Sequence, residues 1–406
     1  MEEWKEYKLE DIAEILTGPF GSQLHNEDYT NIGTPIVTVE HLGNRRFSRQ
    51  NLPLISDYDK KRLSKYTLQN GDIVFSRVGS VDRCSYVTST ENDWLFSGRC
   101  LRVRCNNNCH SLFIYYYFCN VPVKQYIKSI AVGATMPSIN TRIMSEIPIL
   151  LPKFEKQKRI ADILSSLDDK IELNRRINEN LEQQAQALFK SWFVDFEPFK
   201  DGKFVDSELG MIPEGWRVGV LADIANITMG QSPKGTSYNE IGDGISFYQG
   251  RAEFGNRFPS VRLFTTEPSR YAEPYSVLLS VRAPVGDINI AVERCCIGRG
   301  LASILSKNKH QSFVLYTMFF LKKELDKFNS EGTVFGSINR SSLENLKIII
   351  PPVDIIDKFE NLTSKIDVML LNLFQETTSL AQLRDTLLPR LMSGELAITD
   401  VNDRSI

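Results

Sequence analysis

Two stretches of the chain carry apolar residues at alternating spacings of four and three. In the first, Ile160, Leu164, Leu167, Ile171, Leu181, Ala185, Leu188 and Trp192 keep step, with Asn174 and Asn178 filling the two middle positions. In the second, Leu362, Ile366, Met369, Leu373, Leu380, Leu383 and Leu387 do the same, with Glu376 in the gap. Sustained four-three spacing is the pattern of a coiled-coil seam, because it keeps one face of a helix turned toward a partner. The runs Ile160 to Trp192 and Phe359 to Leu391 are equally long, each a rod of about 50 Å at the rise of an α-helix. Equal length predicts that the rods pair with each other. The pair is expected to be antiparallel, because a globular segment separates them in sequence. Two helices packed separately on their own domains are the plainer alternative, since a four-three stripe also fits ordinary core packing. Asparagines on a seam cost stability but can fix register and partner orientation.

Elsewhere short apolar stretches alternate with turn residues. Thr34-Pro-Ile-Val-Thr-Val39 and Asp72-Ile-Val-Phe-Ser76 read as strands, and Asn70-Gly71 and Gly18-Pro19 as turns. The stretches from Ser111 to about Lys128 and from Ser312 to about Phe328 are long enough and apolar enough for a helix each. The strand-like Ile147-Pro-Ile-Leu-Leu-Pro152 and Leu346-Lys-Ile-Ile-Ile-Pro351 each end on proline immediately before a four-three run.

These elements occur twice. Trp4, Leu9, Ile12, Ala13, Ile15 and Gly18 recur in the same order and spacing as Trp216, Leu221, Ile224, Ala225, Ile227 and Gly230, and Ser138-Ile139-Asn140 recurs as Ser337-Ile338-Asn339. Both halves therefore share one fold, with insertions between the anchors. The expected class is α+β: two homologous mixed α/β domains joined by two long antiparallel coiled-coil helices. The expected boundaries are 1–152 for the first domain, 153–195 for a central helix, 196–215 for a connector, 216–352 for the second domain, 353–395 for a C-terminal helix and 396–406 for a tail. Two copies of one binding fold in a single chain suit a long ligand gripped at two separated places.

Composition narrows the class without naming a partner. The 406 residues suit two globular domains, and 42% hydrophobic with 24% charged residues is ordinary globular content. The start lacks the basic and apolar regions of a signal peptide, and no apolar run is long enough to span a bilayer, so a cytoplasmic protein without a membrane partner is expected. Seven scattered cysteines agree with a reducing compartment. A formal net charge of −2 argues only weakly against DNA, because basic residues on one face do not show in a total.

Catalytic motifs are missing. The chain has no glycine-rich dinucleotide or phosphate loop, no HExxH and no GxSxG. Pro351-Pro352, preceded by Ile350, does not supply the Asn-Pro-Pro-aromatic motif of an amino-methyltransferase. Cys105-Asn-Asn-Asn-Cys109-His110, with Cys100 and Cys119 nearby, matches no common zinc spacing, and the second copy offers only Cys295-Cys296. No metal site is expected. Asp168-Asp169, beside Lys170 and Glu172, reads as a solvated helix face.

Basic residues gather in the segments between expected strands. In the first half these are Arg45, Arg46, Arg49, Lys60, Lys61, Arg62, Arg77, Arg83 and Arg99; in the second, Lys234, Arg251, Arg257, Arg262, Arg282 and Arg299, with Gln249 alongside. Such side chains neutralise phosphates, and Arg, Gln and Asn read base edges. For any one of them a solvated surface charge is the simpler reading. Two positions gain from the repeat: Ser76-Arg77-Val-Gly79 aligns loosely with Ser280-Val-Arg282-Ala-Pro-Val-Gly286, and Gly98-Arg99-Cys-Leu101 with Gly298-Arg299-Gly-Leu301. A shared phosphate contact and a shared structural salt bridge explain these equally well.

Taken together, the doubled pattern resembles the DNA-specificity subunit of type I restriction-modification systems. The resemblance is carried by Ile147-Pro-Ile-Leu-Leu-Pro152 followed by Glu155, Gln157, Ile160, Leu164, Leu167-Asp168 and Ile171. It is carried further by the repeated Trp, Leu, Ile and Gly anchors, by Gly230-Gln-Ser-Pro233, and by Leu387-Leu388-Pro-Arg-Leu391-Met-Ser-Gly394-Glu-Leu396. It implies two target-recognition domains, each reading one half of a bipartite, asymmetric double-stranded DNA target, with the helices as a ruler between them. It also implies two modification subunits that methylate adenine, and restriction subunits that cleave. S-adenosylmethionine, ATP and Mg would then sit on those partners and none in this chain, which would have no catalytic residues of its own. One departure stands out: Ile356-Asp357 occupies the place of Gln157-Lys158. The same architecture also fits a type II-like system with a single bifunctional partner. A self-contained metal-dependent nuclease and a protein-binding coiled-coil protein are the readings from other classes.

Overall fold

The computed structural model describes residues 4–21, 23–43, 45–329 and 336–396. The chain divides into two compact units, one running to Glu172 and resuming at Thr378, the other spanning Leu173–Thr377. Each unit therefore contains one copy of the repeated domain and a share of both long helices.

In the first unit a four-stranded antiparallel sheet is ordered Ala13–Thr17, Cys100–Cys105, Ile73–Ser76, Cys84–Tyr86. The second unit repeats it as Ala225–Met229, Leu301–Ser306, Val277–Ser280, Ile288–Ile290. Each unit also has a second sheet, of four strands in the first and five in the second, in which one strand pair is parallel, Thr34–Val37 with Leu95–Phe96 in the first unit and Ile245–Tyr248 with Cys295–Ile297 in the second. The proline-closed strands are Pro148–Leu151 and Lys347–Ile350, each paired antiparallel with the strand that opens its copy, Lys5–Lys8 and Arg217–Val220.

The apolar stretches expected to form single helices are broken. The first is Ser111–Cys119 followed by Val121–Ile130, with Asn120 extended at φ −67°, ψ 133°. Pro122 accounts for the break, since it has no N–H to donate to the Phe118 carbonyl and its ring would clash there, yet it suits the first turn of a new helix. The second is Gln311–Phe320, then Lys322–Lys327.

The long helices are Phe154–Phe193 and Val353–Met392. In the second unit Asn174 on the central helix donates to Glu376 on the C-terminal helix at 2.7 Å, and Arg257 bridges Glu182 and Asp367. As numbering rises along one helix it falls along the other, so the pair is antiparallel. The central helix buries the expected stripe: Ile160, Leu164, Asn174 and Ala185 are fully buried, and Leu167, Ile171, Asn178, Leu181 and Leu188 partly so.

The C-terminal helix departs from its expected seam. Leu362 and Met369 are each 51% exposed and Leu383 is 47% exposed, while Phe359, Thr363, Leu370, Leu388 and Leu391 are buried. Ile366, Leu373, Leu380 and Leu387 are half-buried. The buried stripe runs one position away from the counted one at these sites. Two physical reasons combine: a straight helix drifts from a strict 3.5-residue count, and this helix packs on its domain as well as on its partner helix. Phe359 lies in the core of the second unit with Phe189, Phe193 and Phe313, and Leu388, Leu391 and Met392 lie in that of the first with Ile160, Leu164 and Phe113. Each core is thus completed by helix side chains.

Candidate nucleic-acid interface

A close backbone approach recurs at one end of each main sheet. The chain leaving Ala13–Thr17 passes under the turn that enters the neighbouring strand, with the Gly18 N–H donating to the Cys100 carbonyl at 3.2 Å. A Cβ on Gly18 would lie 2.2 Å from the Ser97 carbonyl oxygen, which is too close for any side chain. Gly230 repeats this: its N–H donates to Leu301 at 2.9 Å, and a Cβ would lie 2.1 Å from the Gly298 carbonyl oxygen. These glycines let the two segments cross, and the crossing sets Arg99 and Arg299 at matching exposed positions.

Around Arg99, the Arg77 N–H donates to the Arg99 carbonyl at 2.8 Å. The Arg77 guanidinium donates to the Gly98 carbonyl at 3.1 Å and lies over the half-exposed ring of Phe20 at 5.0 Å. Around Arg299, the Arg299 N–H donates to Ser232 Oγ at 3.3 Å, Gly300 donates to the Gln249 carbonyl, and Gln231 donates to the Ile297 carbonyl. Exposed Gln231, Gln249 and Arg299 therefore cluster at this corner, with Arg282 bridged to Ser337 nearby. Gln231 and Phe20 escaped the sequence reading. Their signal was adjacency to the repeated glycines, which a search for basic residues passes over. The amides and guanidinium can read base edges, and the arginines can neutralise phosphates.

The other candidates fall into three groups. Arg83, Lys61 and Lys234 are exposed and Lys60 is half-exposed, with no ion pair at any of the four among the described residues. Arg46 reaches Asp169 at 3.8 Å, Arg49 pairs with Glu91 at 3.3 Å, and Arg251 with Asp287 at 2.7 Å. Arg62 and Arg262 pair with Asp59 and Glu253.

Arg45 and Arg257 are corrections. The Arg45 side chain is largely buried and donates to Asp169 at 2.8 Å and to the Ser165 carbonyl at 3.2 Å. Arg257 is buried and holds Glu182 and Asp367 while lying 5.8 Å over the Tyr316 ring. Both serve the packing of their domain on the helices, because the helix carboxylates opposite them satisfy charges that water would otherwise hold.

Asp168 is the matching correction on the helix. Its side chain is mostly buried, accepting from Tyr116 Oη at 2.7 Å and from Arg384 at 2.7 Å. Burial, reinforced by this carboxylate, pushes the Tyr116 phenol well above its ordinary range, so it stays a donor. The sequence reading of Asp168 as solvated missed it because two adjacent aspartates beside a lysine look like a surface. Only Asp169 is exposed.

Among the described residues, no group of three or more His, Cys, Asp or Glu side chains is arranged to hold a metal ion. Burial pushes the Cys100 and Cys295 thiols up to about 12, leaving them protonated at neutral pH. No helix among the described residues is long and apolar enough to cross a membrane.

The chain is 33% identical to a Methanocaldococcus jannaschii protein named as the MjaX type I restriction enzyme specificity subunit, over 98% of this chain and 94% of that one. It is 26% identical to the type I restriction enzyme HindI specificity subunit of Haemophilus influenzae, over 98% of this chain and all of the other. The crystal structure of a type I restriction-modification S subunit from M. genitalium shares the fold at a TM-score of 0.65 and 17% identity, covering 98% of this chain and 97% of that one. The model of the type I restriction modification DNA specificity domain matches residues 1–183 and 213–376, and the chain belongs to that family.

Proposed function

We propose that this chain is the noncatalytic specificity subunit of a type I restriction-modification complex and reads a bipartite, asymmetric double-stranded DNA target. The observation that carries this reading is the repeated glycine-arginine corner, built once in each unit of a chain from the specificity-domain family. Arg77, Arg99 and Phe20 would meet one half-site. Gln231, Gln249, Arg282 and Arg299 would meet the other. Because the corners differ in side chains, the half-sites would differ in sequence. The long helices, 40 residues each, would set the unread gap by their length.

Methylation of adenine would be carried by two modification subunits, and cleavage by restriction subunits. S-adenosylmethionine, ATP and Mg would be bound by those partners. The exposed apolar side chains Leu362 and Met369 on the C-terminal helix would suit contact with a partner subunit.

The test is a reconstitution of the full chain with its modification subunit. The complex should bind one DNA sequence with salt-sensitive affinity and methylate it, while the chain alone with Mg should leave DNA intact. Cleavage by the purified chain alone would overturn the reading in favour of a nuclease. Absence of salt-sensitive DNA affinity with an active partner present would overturn it in favour of a protein-binding role.

A further inference from the structure

Each unit holds a tyrosine and an arginine on one aspartate carboxylate. In the first unit Tyr116, on the helix Ser111–Cys119, donates to Asp168 Oδ2 at 2.7 Å, and Arg384 of the C-terminal helix donates to Asp168 Oδ1 at 2.7 Å. In the second, Tyr316 on Gln311–Phe320 donates to Asp367 Oδ1 at 2.8 Å, and Arg257 joins Asp367 to Glu182 of the central helix. Tyr116 and Tyr316 occupy matching places in the two copies, as do Asp168 and Asp367. The arginine comes from the opposite long helix in one and from a recognition segment in the other. Arg45 supplies the recognition-segment tie in the first unit, donating to the central helix at Ser165 and Asp169.

Each cluster therefore joins three elements: the domain, the central helix and the C-terminal helix. These side chains are largely removed from water, with 8% exposure at Arg257, 16% at Asp367 and 11% at Asp168. Directional bonds in such surroundings lock geometry, and the planar guanidinium adds a fixed fork that a lysine does not reproduce. The exposed corners at Arg99 and Arg299 take no part in the clusters.

We propose that the two clusters are positioning devices that hold each recognition domain at one angle on the helix pair, and so set how strictly the gap between half-sites is measured. This rests on the bipartite reading above. Base identity would be read at the corners and gap length through the clusters. A domain loosened by a small angle would then accept neighbouring gaps without losing its half-site.

The experiment uses the full chain with its modification subunit and a panel of duplexes carrying the target at the native gap and at one base pair more or less. Tyr116→Phe and Tyr316→Phe each remove one oxygen, and Arg257→Lys keeps the charge while losing the fork. Each should raise methylation at the altered gaps relative to the native gap on the order of five-fold, the scale of one hydrogen bond, with half-site mismatch discrimination unchanged. Methylation lowered by the same factor at every gap would overturn the proposal and leave the clusters a purely structural role. A wild-type complex that methylates specifically but ignores gap length would overturn it while sparing the DNA-reading role. A wild-type complex without sequence-specific methylation would overturn the bipartite reading itself.

Discussion

Replacing Arg257 by methionine should destabilise the second unit by about 3 kcal/mol, the low end of the range for removing one member of a buried ionic cluster. The cost comes from what stays behind. The Glu182 and Asp367 side chains are only 22% and 16% exposed, so both carboxylates lose their cationic partner without gaining full hydration. The low end applies because Arg257 Nε is itself buried with no hydrogen-bond partner among the described residues, and that penalty disappears with the side chain. For a unit of this size, roughly 2–4 °C of melting temperature accompany each kcal/mol, giving a drop of about 6–12 °C by calorimetry. Arg251→Met is the internal control, since its pair with Asp287 is 52% and 32% exposed and should be worth about 1 kcal/mol or less. Adding Glu182→Leu and Asp367→Leu to Arg257→Met should recover much of the loss, because no buried charge then remains. Melting of Arg257→Met within 2 °C of wild type, or an equal fall in it and Arg251→Met, would show that the buried cluster contributes no more than a surface pair.

Other outcomes follow from the same structure. Asn174→Leu should stabilise the helix pair by about 1 kcal/mol in denaturant unfolding, because Asn174 Oδ1 is buried without a partner and exposed Glu376 can return to water; a loss of similar size would show that the amide is better satisfied than its geometry indicates. Gly230→Ala should cost about 2 kcal/mol or more through its clash with a backbone carbonyl, whereas Gly21→Ala, with open space around its Cβ, should be near neutral by thermal melting. Arg99→Ala and Arg299→Ala should each weaken DNA binding and lower the salt slope by about one unit in titrations, with stability held within about 0.5 kcal/mol. Burial raises the Glu360 carboxyl above its ordinary value against the opposing N–H bonds from Ser312 and Phe313, so the folded state takes up its proton first and this residue's contribution to stability falls as pH rises through its folded value. Glu360→Gln should flatten that part of the pH profile in calorimetry, from the ordinary carboxylate range upward.

Much of the architecture was legible in the pattern, because the repeated anchors are the residues with the least freedom. Gly18 and Gly230 recur because a backbone carbonyl lies where a Cβ would be, and that requirement does not change when the surrounding loops do. The central helix was readable over most of its length, since Ile160, Leu164, Asn174 and Ala185 all face inward, but near its end Phe189 and Phe193 are buried one position beyond the counted Leu188 and Trp192. The C-terminal helix was not, because Thr363 and Arg384 turn inward while Leu362 and Leu383 turn out, so hydrophobicity alone misplaces its face.

The candidate interface was legible in kind but not in detail. Loop arginines look alike in sequence, yet Arg257 is buried on carboxylates and Arg299 stands exposed. What separates them is contact with helices far away in the chain, which no local pattern encodes. The same holds for Tyr116, which hides within an apolar run, and for Asp168, which only tertiary packing removes from water.

The most direct test of the central claim is methylome sequencing of cells with and without this gene, the partner genes being intact in both. One bipartite, asymmetric methylated-adenine motif should disappear on deletion and return on complementation. An unchanged methylome, with the partner methyltransferase expressed and active, would contradict that claim.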